Sequence, residues 1–252
     1  MIYVTGDTHG EITRFSTRRF KTRDFRLTEG DYLIICGDFG GVWFWPESPF
    51  YNRDVYIQKW FANKPWTTLF VDGNHENHHM LATYPLEEWK GGYVHHIVKD
   101  KVIHLTRGQV FYIEGKKIFT MGGAASHDKE HRKANIDWWA EEIPNAVEYD
   151  TALKNLEKHD YKVDYIISHC APETIAAKVL GDFLYPDDIC SETKFFEILK
   201  DNVEYSNWYF GHYHKDFTVD LKHTCLYHQI ISLGSIFVDN KKYSNVTKGY
   251  CN

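Results

Sequence analysis

Five short stretches of this 252-residue chain carry side chains able to bind a metal ion, and each follows directly on a short apolar run. They are Gly6-Asp7-Thr8-His9-Gly10, Gly37-Asp38-Phe39-Gly40-Gly41, Gly73-Asn74-His75-Glu76, Ser168-His169-Cys170 and Gly211-His212-Tyr213-His214. Carboxylate, imidazole and amide oxygen together suit Mn, Fe or Zn better than an ion that wants only oxygen, such as Ca. Two such ions about 3.5–4 Å apart can hold a phosphate and activate a water between them, provided that one carboxylate is shared. One stretch alone means little, because Gly-Asp is usually a turn and a lone His is usually structural. Five in this order, in a chain with 15 His, point to one site.

The elements that must position these residues are legible as alternating patterns. The apolar runs Ile2–Thr5, Tyr32–Cys36, Thr67–Val71, Tyr165–Ser168 and Trp208–Phe210 have the length and β-branched or aromatic content of strands buried on both faces. Helical periodicity lies between them at Tyr51–Ala62, Tyr149–His159, Pro172–Leu180 and Glu192–Lys200. Strand alternating with helix predicts an α/β architecture, in which ligands gather outside the carboxyl ends of the strands. From Tyr93 to Met121 the pattern changes to strands with turns at Arg107-Gly108 and Glu114-Gly115. Phe217–Val238 also reads as β, and together these predict a second, antiparallel-rich sheet. Ala124–Pro144 fits neither pattern; it is dense in charge, holds two adjacent Trp, and reads as a functional insertion at the mouth of the site. No repeat or Pro/Gly-rich linker divides the chain, so residues 1–252 read as a single domain.

Composition narrows the function classes. Hydrophobic residues make up 43%, ample for a packed core. Net charge is −6 and no Lys/Arg tract appears, which argues against a general nucleic-acid binder, although bound divalent cations would make the site itself locally positive. No run of 18 apolar residues exists to cross a membrane, and no secretory signal is visible at the start. The five scattered Cys (36, 170, 190, 225 and 251) form no CxxC pair and fit a reduced, cytoplasmic protein. The sequence does not determine the oligomeric state.

In the order D-x-H, G-D, G-N-H-[DE], lone H and G-H-x-H, the stretches from Asp7 to His214 resemble the calcineurin-like metallophosphoesterase superfamily. The resemblance implies a four-layer α/β sandwich, two mixed β-sheets flanked by helices. It implies that Asp7, His9 and His214 bind one divalent ion, that Asn74, His169 and His212 bind a second, and that Asp38 bridges both. Mn is the first candidate metal, with Fe, Zn, Ni or Co as alternatives. His75 would contact the phosphate and protonate the leaving oxygen, and a hydroxide bridging the metals would attack a phosphomonoester or phosphodiester. The protein Ser/Thr phosphatase branch reads G-D-x-x-[DE]-R-G, whereas this chain reads Gly37-Asp38-Phe39-Gly40-Gly41-Val42-Trp43, so its orienting acid and its phosphate-clamping Arg are missing. That departure, with the G-H-x-H ending, looks like the phosphodiesterase and nuclease branches. Gly73–Glu76, Gly91-Gly92, Leu105–Val110 and Gly122–Arg132 are similar in spacing to lariat RNA debranching enzymes, over about 60 residues.

The remaining candidates each have a plainer alternative. Arg132 or His127, near Ser126 and Asp128, could grip a phosphate oxygen or the leaving group, or belong to a solvated loop. Trp138 and Trp139 could stack on a base, but anchoring the loop to the core is favoured. Trp43, Phe44 and Trp45 could line the cleft, and capping the sheet edge is slightly favoured. Two of His78, His79, His95 and His96 could support the site. Cys170 reads as a small buried residue, not a nucleophile. Glu76 could orient a ligand His or cap the following helix. The leading expectation is a dinuclear phosphoesterase; a nucleic-acid-directed phosphodiesterase and a non-catalytic metal-binding scaffold are the alternatives.

Overall fold

The computed structural model describes residues 1–15, 27–184 and 188–236; Cys251 and the last two residues of the predicted Phe217–Val238 stretch lie outside them. The first half lays down β1 (Ile2–Thr5), β2 (Tyr32–Ile35), β3 (Thr67–Phe70), β4 (Leu86–Trp89), β5 (Gly92–Val98) and β6 (Val102–Leu105). Then come β7 (Gln109–Ile113), β8 (Lys116–Met121), β9 (Tyr165–Ser168), β10 (Asn207–Phe210), β11 (Phe217–Thr218), β12 (His223–Cys225) and β13 (Ile230–Ser232). The helices are α1 (Tyr51–Ala62), α2 (His78–Leu81), α3 (Ala146–Glu157), α4 (Glu173–Leu180) and α5 (Ser191–Asn202).

These strands form two mixed sheets, ordered β13-β1-β2-β3-β6-β5-β4 and β11-β12-β10-β9-β8-β7. β1, β2, β3 and β6 run parallel in the first, and β8, β9, β10 and β12 in the second. Three apolar layers hold the sandwich together. Ile34, Leu69 and Val94 of the first sheet meet Phe111, Ile167 and Tyr209 of the second. Phe61 and Ile57 of α1 cover the outer face of the first sheet, while Leu156, Ile175 and Phe196 of α3, α4 and α5 cover the second. The expected two-sheet sandwich flanked by helices is therefore the observed fold.

One expectation needs correction. The Tyr93–Met121 and C-terminal strands do not make a separate antiparallel sheet. β5 and β6 join the first sheet, β7 and β8 the second, and β13 returns to pair antiparallel with β1. A strand's own pattern records how its faces are buried but not which neighbour it finds. Among the described residues, no helix is long and apolar enough to cross a membrane.

Helix α1 also fixes a loop of the site. Its Asp54, buried in the first turn, accepts the backbone N–H groups of Trp43 (2.6 Å) and Phe44 (2.7 Å), and Gln58 donates to the Gly41 carbonyl (2.7 Å). A helix patterned for the core face thereby also holds the loop that follows Asp38.

Candidate metal centre

Each metal-competent residue lies just past the carboxyl end of a parallel strand: Asp7 and His9 after β1, Asp38 after β2, Asn74 and His75 after β3, His169 after β9, and His212 and His214 after β10. The ends of β1–β3 and of β9–β10 face one another across the sandwich, so residues from both sheets converge. The backbone there is unusual. His9, Asp38, His212 and His214 all have positive φ, at 46°, 50°, 66° and 50°. Non-glycine residues in this region cost roughly 1–3 kcal/mol each and cluster at functional sites. Glycine is required at position 73 for a different reason: a Cβ there would collide with the Asp38 carboxylate.

Asp7, His9, Asp38 and His214 each place one ligand atom within 4.8 Å of the others. His9 Nε2 and His214 Nε2 face each other at 3.0 Å, and His214 Nε2 is 3.1 Å from Asp7 Oδ2. A second group meets the other side of Asp38. His169 Nε2 lies 3.4 Å from Asp38 Oδ1 and 3.1 Å from Asn74 Oδ1, while Asp38 Oδ2 is 3.7 Å from His9 Nε2. His169 Nδ1 donates to the Cys36 carbonyl at 2.7 Å, so in the neutral ring Nε2 carries a lone pair. Imidazole nitrogen, amide oxygen and carboxylate oxygen thus converge with no hydrogen between them, an arrangement that suits a cation.

The electrostatics agree. Burial raises the Asp7 carboxyl, but His169, His214 and His9 outweigh it and bring it down to about 2. Burial first and the charge of Asp7 second push Asp38 well above the usual carboxylate range. Two buried carboxylates cannot comfortably ionise together unless positive charge lies between them. Burial also lowers His9 to about 4, leaving its ring neutral and able to ligate.

His212 stands 5.0 Å, ring to ring, from His169, and on its other side it stacks on His127 at 5.8 Å. His127 Nε2 is 3.0 Å from Asp188 Oδ1, and His127, Asp188 and His212 bring three further ligand atoms within 4.8 Å. Arg132 reaches in from the 124–144 segment to place Nη2 3.2 Å from His75 Nε2. Burial and then the Arg132 charge hold His75 down to about 3. Both residues named for substrate contact therefore border the ligand cluster.

Other expectations resolve unevenly. Trp43 lies over His75, with ring centroids 6.0 Å apart, and helps line a cavity of about 120 Å³ with His9, Gly40, Arg53 and His75, so it belongs to the cleft and not to a sheet edge. Trp139 is buried and meets Trp43 edge-on, the anchoring role expected. Cys170 is buried, and burial pushes its thiol well up, away from nucleophilic use. None of His78, His79, His95 and His96 joins the ligand cluster; His78 lies 3.8 Å from Asp72, and His95 stacks on His104.

Glu76 neither orients a ligand His nor caps a helix, since Asn77 caps α2. Instead its buried carboxyl ties two site loops together, accepting from Gly73 N (2.6 Å) and Gly40 N (3.2 Å). Glu76→Ala would strand both buried N–H groups, at about 1–3 kcal/mol each. The thermal midpoint should then fall by roughly 5–15 °C. A midpoint within about 2 °C of the parent would show that the loops hold without it.

Sequence reading missed Asp72, Arg107, Glu142 and Asp188. Of these only Asp72 carried a signal, as a carboxylate directly after a buried apolar strand; the others are ordinary charged residues until the chain folds.

A family model for the calcineurin-like phosphoesterases matches residues 1–216. The chain belongs to that family. No curated protein matches it. Membership of the calcineurin-like phosphoesterases makes it a metal-dependent hydrolase of phosphate esters, and the clustered carboxylates and imidazoles are fit to hold the metal.

Proposed function

We propose that this calcineurin-like phosphoesterase is dinuclear and hydrolyses a small or nucleotide-like phosphate ester. The observation that carries the reading is the position of Asp38, whose two carboxylate oxygens face different donor sets: Oδ2 towards His9 at 3.7 Å and Oδ1 towards His169 at 3.4 Å. Asp7, His9 and His214 would hold one divalent ion, Asn74, His169 and His212 the other, with Asp38 shared. Mn or Fe suits this mixed oxygen and nitrogen set. When bound, such a pair polarises the phosphate and makes a water acidic enough to attack it.

The remaining work falls to side chains of the chain itself. Arg132 donates through Nη2 to His75 Nε2 at 3.2 Å, and its guanidinium on that side of the site matches phosphate oxygens. His75 gives its proton to the leaving oxygen once the bound anion has raised the affinity of the ring for it. His127, held by Asp188 and stacked on His212, borders the opposite side and contacts the ester group there. The 120 Å³ cavity under Trp43 admits a phosphate-sized group and little more, so the rest of the ester lies along the rim.

The test is hydrolysis of aryl phosphates, aryl phosphodiesters, cyclic nucleotides, dinucleotides and oligonucleotides, with and without Mn. We expect turnover of at least one small ester, lost on removal of metal with EDTA and restored by Mn. Full activity in protein shown to be metal-free would sink the proposal. Turnover confined to oligonucleotides would replace the small-ester reading with a nucleic-acid-directed one.

A further inference from the structure

The 124–144 segment is tied to the site by a closed circuit of buried polar groups, and the direction of its hydrogen bonds matters. Ser126, 1% exposed, donates its hydroxyl to Glu142 Oε2 at 2.6 Å and its backbone N–H to Glu142 Oε1 at 2.8 Å. With its hydroxyl hydrogen directed at the carboxylate, Ser126 Oγ offers only lone pairs to its other neighbour. That neighbour is the side-chain amide of Asn74, which therefore turns Nδ2 towards Ser126, at 3.1 Å. Asn74 Oδ1 is left pointing at His169 Nε2, on the Asp38 side of the site.

Both ends of the segment are stapled to the loop after β3 that carries Asn74. Gly123 N donates to the Asp72 carbonyl at 2.8 Å. Arg107 Nη2 donates to Asp72 Oδ2 at 2.6 Å and to the Glu141 carbonyl at 2.8 Å, and it also reaches the Glu142 carbonyl at 3.3 Å. Asp72 is two residues before Asn74 in the chain.

We infer that Ser126 and Glu142 are positioning residues that fix the Asn74 amide with its oxygen facing the metal, and so set the affinity for the second ion without touching that ion. The inference rests on the dinuclear reading, in which Asn74 is a ligand. An amide free to rotate about its last bond presents N–H₂ to the cation in half of its orientations, and N–H₂ repels it. Partners of this kind typically change metal affinity by about 10–100-fold.

Metal-stripped wild-type protein and Ser126→Ala would each be titrated with Mn by calorimetry, and their electron paramagnetic resonance spectra recorded at two equivalents. Wild type should take up two ions and show a spin-coupled signal. Ser126→Ala should keep the first ion at wild-type affinity, bind the second about 10–100-fold more weakly, and show mostly the uncoupled six-line signal. Glu142→Gln, which keeps the shape of the side chain, should move the second ion in the same direction. The metal-free melting point of each variant reports whether the fold persists, and only a folded variant is scored. Equal affinity for both ions in wild type and in either folded variant would overturn the inference alone. Fewer than two ions in wild type would overturn the dinuclear reading and this inference with it.

Discussion

Asp38→Asn should bind neither ion tightly and should hydrolyse phosphate esters at least about 10³-fold more slowly than wild type, because each ion loses its shared anionic ligand. The fold should survive. The Asp38 carbonyl accepts the N–H groups of Thr8 (3.1 Å) and His9 (2.7 Å), and these bonds do not involve the side chain. Asn also tolerates the φ of 50° that this position requires, which Ala does less well. The sign of the stability change then depends on metal. Burial and Asp7 make a charge on Asp38 unfavourable in the metal-free protein, so that form of Asp38→Asn should melt no lower than the metal-free parent. With Mn added at 100 times its dissociation constant, wild type should gain about 2.7 kcal/mol for each ion bound and the variant almost none. Two retained ions and activity within tenfold of wild type would remove Asp38 from the bridging role.

The second large effect concerns His75. His75→Ala should lower kcat/KM by roughly 10²–10⁴-fold with metal content unchanged, the range expected for a lost proton donor. Arg132→Ala should lower it by roughly 10²–10³-fold. Because the two side chains meet at 3.2 Å, the double variant should lose less than the product of the single losses. The pH dependence follows from the direction of the shift. Burial and Arg132 both disfavour the imidazolium, holding His75 near 3, so the free site contains a neutral ring from pH 5 to 8. A bound phosphate acts with the opposite sign and raises the ring only in the complex. Hence kcat/KM should show no break in that window that His75→Gln removes, whereas kcat should show one. A break in kcat/KM near pH 6.5 that disappears in His75→Gln would mean that the free ring already carries the proton.

Both predictions rest on contacts that differ in how far the sequence announces them. Asp38 could be singled out because it follows an apolar run and precedes two glycines, a local pattern. The pairing of His75 with Arg132 spans 57 residues and has no local signature. Arg132 could be named as a candidate only from its charge, and a solvated loop explained that charge equally well. Trp43 shows the limit from the other side, since an aromatic after a site loop fits a sheet edge and a cleft wall alike. Its place over His75 is set by Asp54 of α1, which holds the backbone of Trp43.

By itself the sequence determined the types of candidate ligand, their order along the chain and their placement at strand ends. It also determined helix α1 to the residue, Tyr51–Ala62. These follow from side-chain chemistry and from periodicities of two and 3.6 residues, which act between near neighbours. Only the tertiary structure decided that β13 pairs with β1 and that β7 and β8 belong to the second sheet. The same holds for the burial of Arg107 against Asp72, 35 residues away, and for the turn of the Asn74 amide by Ser126 and Glu142. Those outcomes depend on which apolar faces meet and on where buried polar groups find partners, and both are properties of the whole packed chain.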